Sequence, residues 1–418
     1  MCLVVLVCAV LPVLAMTTNR GASPAFYVLE FFCLILAVHQ HSASGVAGQV
    51  VRDYRYVLLA YCMPLVAAVV SMIAHRHWTG TDTESALRFT LGMLLFLLGF
   101  QLISRRNLKL VFWGVFAAAV SAFVYVFYSV YPTFTRPDTE VYNVVSYSSL
   151  MMILIMLTAF SLRLRLTSRP GLERTVKWLV IIITFIGFML AQTRTGWLAI
   201  PVYLVLGFIA SGRFERPARA VGLLVLIVAI IAAIGASDSS LRARVAKGYH
   251  ETVECAGIKN NTTNNSVCIR FQLWRAAWGM FEHNPIVGMG DSGLFNKRLE
   301  HKDKPEGVVS EFVVQNFGEP HNDMLHALSS FGILGGLGLI MIYLAPIWVF
   351  LSRLRRRYPD EVRTIAAMGA SLCLGFVIYG VTEFMFRSMR TVGVYAVLVA
   401  WLLVLSDPAK YAREESTR

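Results

Sequence analysis

Apolar residues in this chain come in long continuous blocks divided by short polar connections; they do not alternate, nor do they recur on one face only. Twelve blocks stand out: 2–16, 24–41, 56–74, 89–104, 110–131, 144–163, 178–191, 197–211, 219–236, 323–350, 364–381 and 391–406. Most approach the ~20 residues with which a helix crosses the hydrocarbon of a bilayer. With no water there to satisfy the backbone, a spanning segment must be a helix or part of a closed barrel. Continuous runs select helices. The pattern predicts an all-α polytopic membrane protein with about 12 transmembrane helices and one large loop. It divides the chain into helices 1–9 over residues 1–236, the loop over 237–322, helices 10–12 over 323–406 and a tail over 407–418.

Composition agrees: 56% of residues are apolar and 15% charged, with a mean hydropathy of +0.61. A soluble domain has roughly 25% charged residues. The formal charge of +13 does not point to nucleic acid, because cations on one side of a membrane protein alone make it basic. With the N-terminus placed in the cytoplasm, the inside connections and tail hold 21 cations, the short outside loops seven and the long loop ten. That bias predicts cytoplasmic termini and an outward-facing loop, since long loops escape the charge rule. The opening stretch MCLVVLVCAVLPVLAM lacks a basic n-region and reads as a first membrane helix, not a signal peptide.

The loop between Ser237 and Pro320 is far longer than an ordinary connection, which marks it as functional. Cys255 and Cys268 flank its polar GIKNNTTNNSV stretch, a disulfide candidate if that side is oxidising. The alternative is two free thiols. Cys2, Cys8, Cys33, Cys62 and Cys373 sit in apolar runs, and no CxxC is present. After Cys268, Arg270, Trp274 and Trp278 recur at a spacing of four, one face of a helix lying along the outer surface. Asn284-Pro285 ends it, and Gly288, Gly290 and Gly293 follow in a turn. With no Walker lysine and no dinucleotide spacing, that turn is a weak phosphate signal.

Three outward residues carry candidate chemistry. Arg194, in the hinge AQTRTGWLAI, is either a snorkelling anchor or an anion clamp whose guanidinium forks onto phosphate oxygens. Arg270 is either a solvated cation or a second anion contact. His321 precedes Asn322 at the mouth of the tenth run, where Gly332, Gly335 and Gly336 would let a neighbouring helix pack closely. His326 is five residues on, off the i, i+4 spacing of a helical metal pair, and HExxH is absent, so no metal site is expected. Arg387 and Arg390, near Glu383, offer anion contacts or an anchoring ion pair. Titratable groups are scarce in mid-helix, which disfavours ion-coupled transport.

On these residues the chain resembles the O-antigen ligase (WaaL) family, within the group that includes O-antigen polymerases and protein O-oligosaccharyltransferases. The resemblance rests on His321, Asn322, Gly332 and Gly335 in the pattern H-[NSQ]-x9-G-x-x-G, on Arg194 after a short hinge, on Arg270 early in the loop and on Pro285, Gly288 and Gly290. It implies a fold like the GT-C glycosyltransferases in the bacterial inner membrane, with a periplasmic active site. It implies transfer of O-antigen polysaccharide from undecaprenyl diphosphate to a sugar hydroxyl of lipid A-core, without metal, ATP or other cofactor. Catalytic roles fall to His321, Arg194 and Arg270. Substrate contacts fall to Arg194, Arg270, Asn322, Arg387, Arg390 and Trp274. The expected partners are the lipid-linked donor, the lipid A-core acceptor and membrane lipids. Two rivals stay open from the same group, a polymerase and a protein O-oligosaccharyltransferase, though the latter usually extends further at its C-terminal periplasmic end. A transporter of lipid-linked glycan is the rival of another class, and would not need His321.

Overall fold

The computed structural model describes residues 1–39, 43–135, 137, 143–212, 222, 225, 250, 253, 255, 265–300, 309–386 and 389–416. Among them every regular element is helical. In chain order these are α1 (Cys2–Thr17), α2 (Ala22–His39), α3 (Ala43–Asp53), α4 (Arg55–His75), α5 (Gly80–Gln101), α6 (Arg105–Leu108), α7 (Val111–Val130), α8 (Val144–Ser161), α9 (Pro170–Leu190) and, after a short 3-10 turn (Thr195–Ala199), α10 (Ile200–Ser211). The loop contributes α11 (Ser266–His283), α12 (Leu294–Glu300) and α13 (Glu311–Asn316), and α14 (Asp323–Ser352), α15 (Asp360–Gly380), α16 (Met389–Leu405) and α17 (Pro408–Ser416) complete the order.

Helices occupy every apolar run except 219–236, which lies outside the described residues apart from positions 222 and 225. Seven are long and apolar enough to cross a bilayer, or eight if α16 and α17, bent by 49°, count as one span. That is fewer than the twelve the runs predict. The count covers the described residues alone and so leaves out the run 219–236; of the others, α1 has 16 residues, α10 has 12, and α9 carries Glu173, Arg174 and Lys177 in its first turns.

The bundle centres on α16. From Val394 to Leu405 no residue is more than 4% exposed, as expected of a helix apolar on every side. Charged side chains tie the helices at one end. Lys410 Nζ donates to the carbonyls of Phe100, Gln101 and Ile103 at 2.9, 2.8 and 2.6 Å. The Glu414 carboxylate accepts from the Arg105 amide at 3.0 Å, and Arg105 and Lys109 pair with Glu361 at 2.5 and 2.7 Å. These are connections that the charge bias assigns to the inside.

α14 is not one straight helix. Gly332 breaks it with φ +65° and ψ −156°. Beyond the break the helix folds against its own first part: a β-carbon on Gly335 would lie 2.5 Å from the Ala327 carbonyl oxygen, and one on Gly336 2.7 Å from Leu328 Cδ2. Eight residues of straight helix would span ~12 Å. The loop segment 285–290 fills the break. The Ile333 amide donates to the Pro285 carbonyl at 2.8 Å, and the Met289 and Gly290 amides donate to the carbonyls of Ser329 and Ser330 at 2.9 and 3.0 Å. Backbone groups freed by a broken helix need partners at membrane depth, and this loop supplies them. The glycines of α14 thus serve a hairpin within one element and a loop crossing. The expectation of a neighbouring helix holds only further on, where Gly338 meets Met63 and Pro64 of α4.

Candidate functional site

His321 lies in the short connection between α13 and α14. Its backbone has φ +48°, a left-handed conformation uncommon for a residue with a side chain. Asn322 makes two bonds that anchor this connection. Its Oδ1 accepts from the Leu325 amide at 2.9 Å, capping α14, while its Nδ2 donates to the Val381 carbonyl at 2.8 Å. The second bond locks the His321 connection to the turn after α15, where Glu383 is 1% exposed.

Glu383 Oε1 lies 2.9 Å from His321 Nδ1 and accepts from Asn143 Nδ2 at 2.7 Å. A carboxylate only accepts, so Nδ1 carries a proton towards it, and in the neutral imidazole Nε2 then keeps its lone pair. The carboxylate thereby sets both tautomer and ring orientation. The Phe317 ring meets the imidazole edge at a centroid distance of 5.8 Å. Glu319 Oε1 is 4.0 Å from His321 Nδ1. The donor atoms of Glu319, His321 and Glu383 all lie within 4.8 Å of one another, the one group among the described residues with the donors to hold a metal ion. No sequence spacing signalled it.

Asn143 also caps α8, its Oδ1 accepting from the Val145 amide at 2.9 Å. Five residues along α8, Ser148 Oγ accepts from Thr193 Oγ1 at 2.5 Å. Since five residues advance ~7.5 Å along a helix, the Arg194 hinge and His321 sit at the same end of the bundle. Tyr379, near the C-terminus of α15, donates to the Gly196 carbonyl at 3.4 Å, a second tie on that side. Gln192, at φ +52°, turns the chain into the hinge. Arg194 itself is exposed, and its guanidinium makes no hydrogen bond or ion pair among the described residues.

The other predicted residues spread out. Arg270 is half-buried on α11 and makes no bond to His321 or Glu383. An adjoining face of α11, with Ile269, Leu273, Ala276 and Ala277, packs on a small core built from Met289, Phe295, Leu299, Val313 and Val314. The apolar side of this helix is therefore covered by the loop's own residues. Trp274 stacks edge-on to Phe271, its Nε1 enclosed without a hydrogen-bond partner, whereas Trp278 is exposed. Arg390 Nε donates to the Asn19 carbonyl at 2.7 Å, joining α16 to the turn after α1. Arg387 lies outside the described residues. Cys255 and Cys268 are joined in a disulfide, Cα to Cα 5.1 Å. The Gly288 and Gly290 amides are spent on the Asn284 and Ser330 carbonyls, so this turn does not cradle a phosphate.

Residues 179–340 match the profile of a family described as O-antigen ligase. Over that span the chain is similar to O-antigen ligases. The matched span takes in Arg194, Arg270, His321 and the break at Gly332, and stops short of Glu383. An uncharacterised protein of Haemophilus influenzae is 24% identical over 203 residues, 48% of this chain and 49% of that protein. The chain thus matches about half the length of that relative.

Proposed function

We propose that this chain is a glycosyltransferase that moves O-antigen polysaccharide from undecaprenyl diphosphate to a sugar hydroxyl of lipid A-core, at the periplasmic face of the bacterial inner membrane. In this reading the bundle is GT-C-like, with about twelve spans and cytoplasmic termini. The observation that carries it is the buried Glu383 carboxylate 2.9 Å from His321 Nδ1, which leaves Nε2 as a base open to substrate.

His321 Nε2 takes the proton of the acceptor hydroxyl as that oxygen bonds to the anomeric carbon of the donor. The bond from that carbon to the diphosphate oxygen breaks, and its electron pair leaves with the diphosphate. Arg194 offsets the growing negative charge, and Arg270 adds to it from the loop. A single displacement inverts the anomeric carbon. No step calls for a metal or a nucleotide.

The test is a reconstitution with purified protein, lipid-linked glycan and lipid A-core, without nucleotide, and nuclear magnetic resonance of the new linkage. Transfer with inversion supports the reading. Retention, a strict need for ATP, or full transfer by His321→Ala overturns it.

A further inference from the structure

Next to His321 a separate cavity of about 360 Å³ opens between α4, α5, the loop at Ser292, both parts of α14 and the turn between α15 and α16. Its size falls at the lower end of the ~300–1,000 Å³ of small-molecule sites. His321 is not in its wall, but Glu319 is, and so is Phe384, the neighbour of Glu383. The cavity therefore begins two positions from the proposed base, at Glu319 and Asp323. Nothing from α8, α9 or the Arg194 hinge lines it.

Its chemistry is one-sided. Asp82, Glu319 and Asp323 face it, and among the described residues no lysine or arginine does. Phe89, Phe331 and Phe386 add aromatic surface. His326 is only 8% exposed; its Nδ1 is bonded to Ser330 Oγ at 3.1 Å and its ring lies 4.0 Å from that of Phe384. Its Nε2 has no hydrogen bond among the described residues and is left for the cavity. The carboxylates do not converge on a cation. Asp82 accepts from the Ser292 amide and from Thr79 Oγ1, each at 3.0 Å, and Asp323 from Tyr343 at 2.9 Å and the Phe386 amide at 3.1 Å. Carboxylate oxygens so placed keep lone pairs for further hydroxyl donors.

Carboxylates and an imidazole suit vicinal hydroxyls, and aromatic walls suit the C–H faces of a sugar ring. A phosphate or a carboxylate would find carboxyl oxygens there and, among the described residues, no guanidinium or ammonium in the wall. We infer that this cavity is the acceptor subsite and takes an uncharged, hydroxyl-bearing sugar, while the anionic donor lies across His321 on the Arg194 side. The inference rests on the transfer reading and adds which substrate occupies which side.

Ser85 is exposed and lines the mouth, so Ser85→Trp blocks the cavity without disturbing the core. Two measurements on the full-length protein in nanodiscs test the subsite. In transfer assays, Ser85→Trp and His326→Ala are expected to raise the acceptor KM about tenfold or more and to leave the donor KM within about twofold. In saturation-transfer magnetic resonance, methyl α-D-glucopyranoside is expected to bind and glucose 6-phosphate not, and Ser85→Trp is expected to abolish the signal. Unchanged acceptor KM in both variants overturns the inference, as does binding of the phosphate at least as well as the glycoside. A protein that transfers nothing yet binds the glycoside in a Ser85→Trp-sensitive way would sink the transfer reading and uphold the sugar subsite.

Discussion

Gly288 and Gly332 meet backbone to backbone: a β-carbon on Gly288 would lie 2.5 Å from the Gly332 nitrogen, and one on Gly332 2.3 Å from the Ile286 carbonyl carbon. Both residues have positive φ, +63° and +65°. The loop turn and the broken helix are thus one docking, with no room for a side chain on either part. Gly288→Ala and Gly332→Ala should each cost at least ~1–2 kcal/mol from the left-handed backbone alone. The double variant should cost less than the sum, because the docking is lost only once. Thermal unfolding of the four proteins in one detergent measures this; strict additivity would mean that the two parts are independent.

Glu383 is held by His321 and Asn143 together. Glu383→Gln removes the charge that fixes the His321 tautomer, so transfer should fall by ~10²–10⁴-fold, the usual worth of a general base. Adding His321→Ala should lower it little further, since the two act as a unit. Asn143→Ala leaves the buried carboxylate one donor short and should lower stability by about 1–3 kcal/mol, read from the unfolding midpoint.

Arg194→Lys keeps the charge and loses the fork. With hydrogen bonds to charged groups worth about 1.5–3 kcal/mol, donor kcat/KM should drop ~10–100-fold in this variant and more in Arg194→Ala. Acceptor KM should hold. Titrating each substrate in turn at saturating concentrations of the other checks it.

Glu319, His321 and Glu383 offer the donors for a metal, and the proposed chemistry needs His321 Nε2 and no ion. Transfer by protein stripped with a chelator should equal that of untreated protein. Loss on stripping, restored by one divalent ion, would reassign these three residues as ligands.

The Cys255–Cys268 disulfide spans 13 positions. By loop-closure entropy a link of this length is worth about 3 kcal/mol to the part it closes. Cys268→Ser should therefore make the loop region open to limited proteolysis at lower temperature, with the helices of the bundle cut no sooner than in the parent.

Much of the architecture was legible because membrane helices are written in uninterrupted apolar residues; α4, α8 and α15 fall where their runs do. Elements of mixed polarity were harder. α3 and α17 lie in connections that carry no apolar block, and α5 begins at Gly80, nine positions before its run at 89. The break at Gly332 was visible as a glycine but not as a break, because the same residues suit close helix packing. The site was half legible. Arg194 and His321 stood out as ionisable residues at a membrane boundary. Glu383 was visible only as a neighbour of Arg387 and Arg390, yet its partners are 240 and 62 positions away. A lone acid at the end of an apolar run was the one available sign.

The carboxylate that orients the imidazole is itself oriented by a residue from a different stretch of the chain, so the catalytic group has no local version. A polypeptide caught partway through insertion holds His321 without Glu383, its ring free to take either tautomer. Under the proposed transfer mechanism, reactivity would arrive only with the completed assembly, and half-built copies would leave lipid carriers intact during biogenesis.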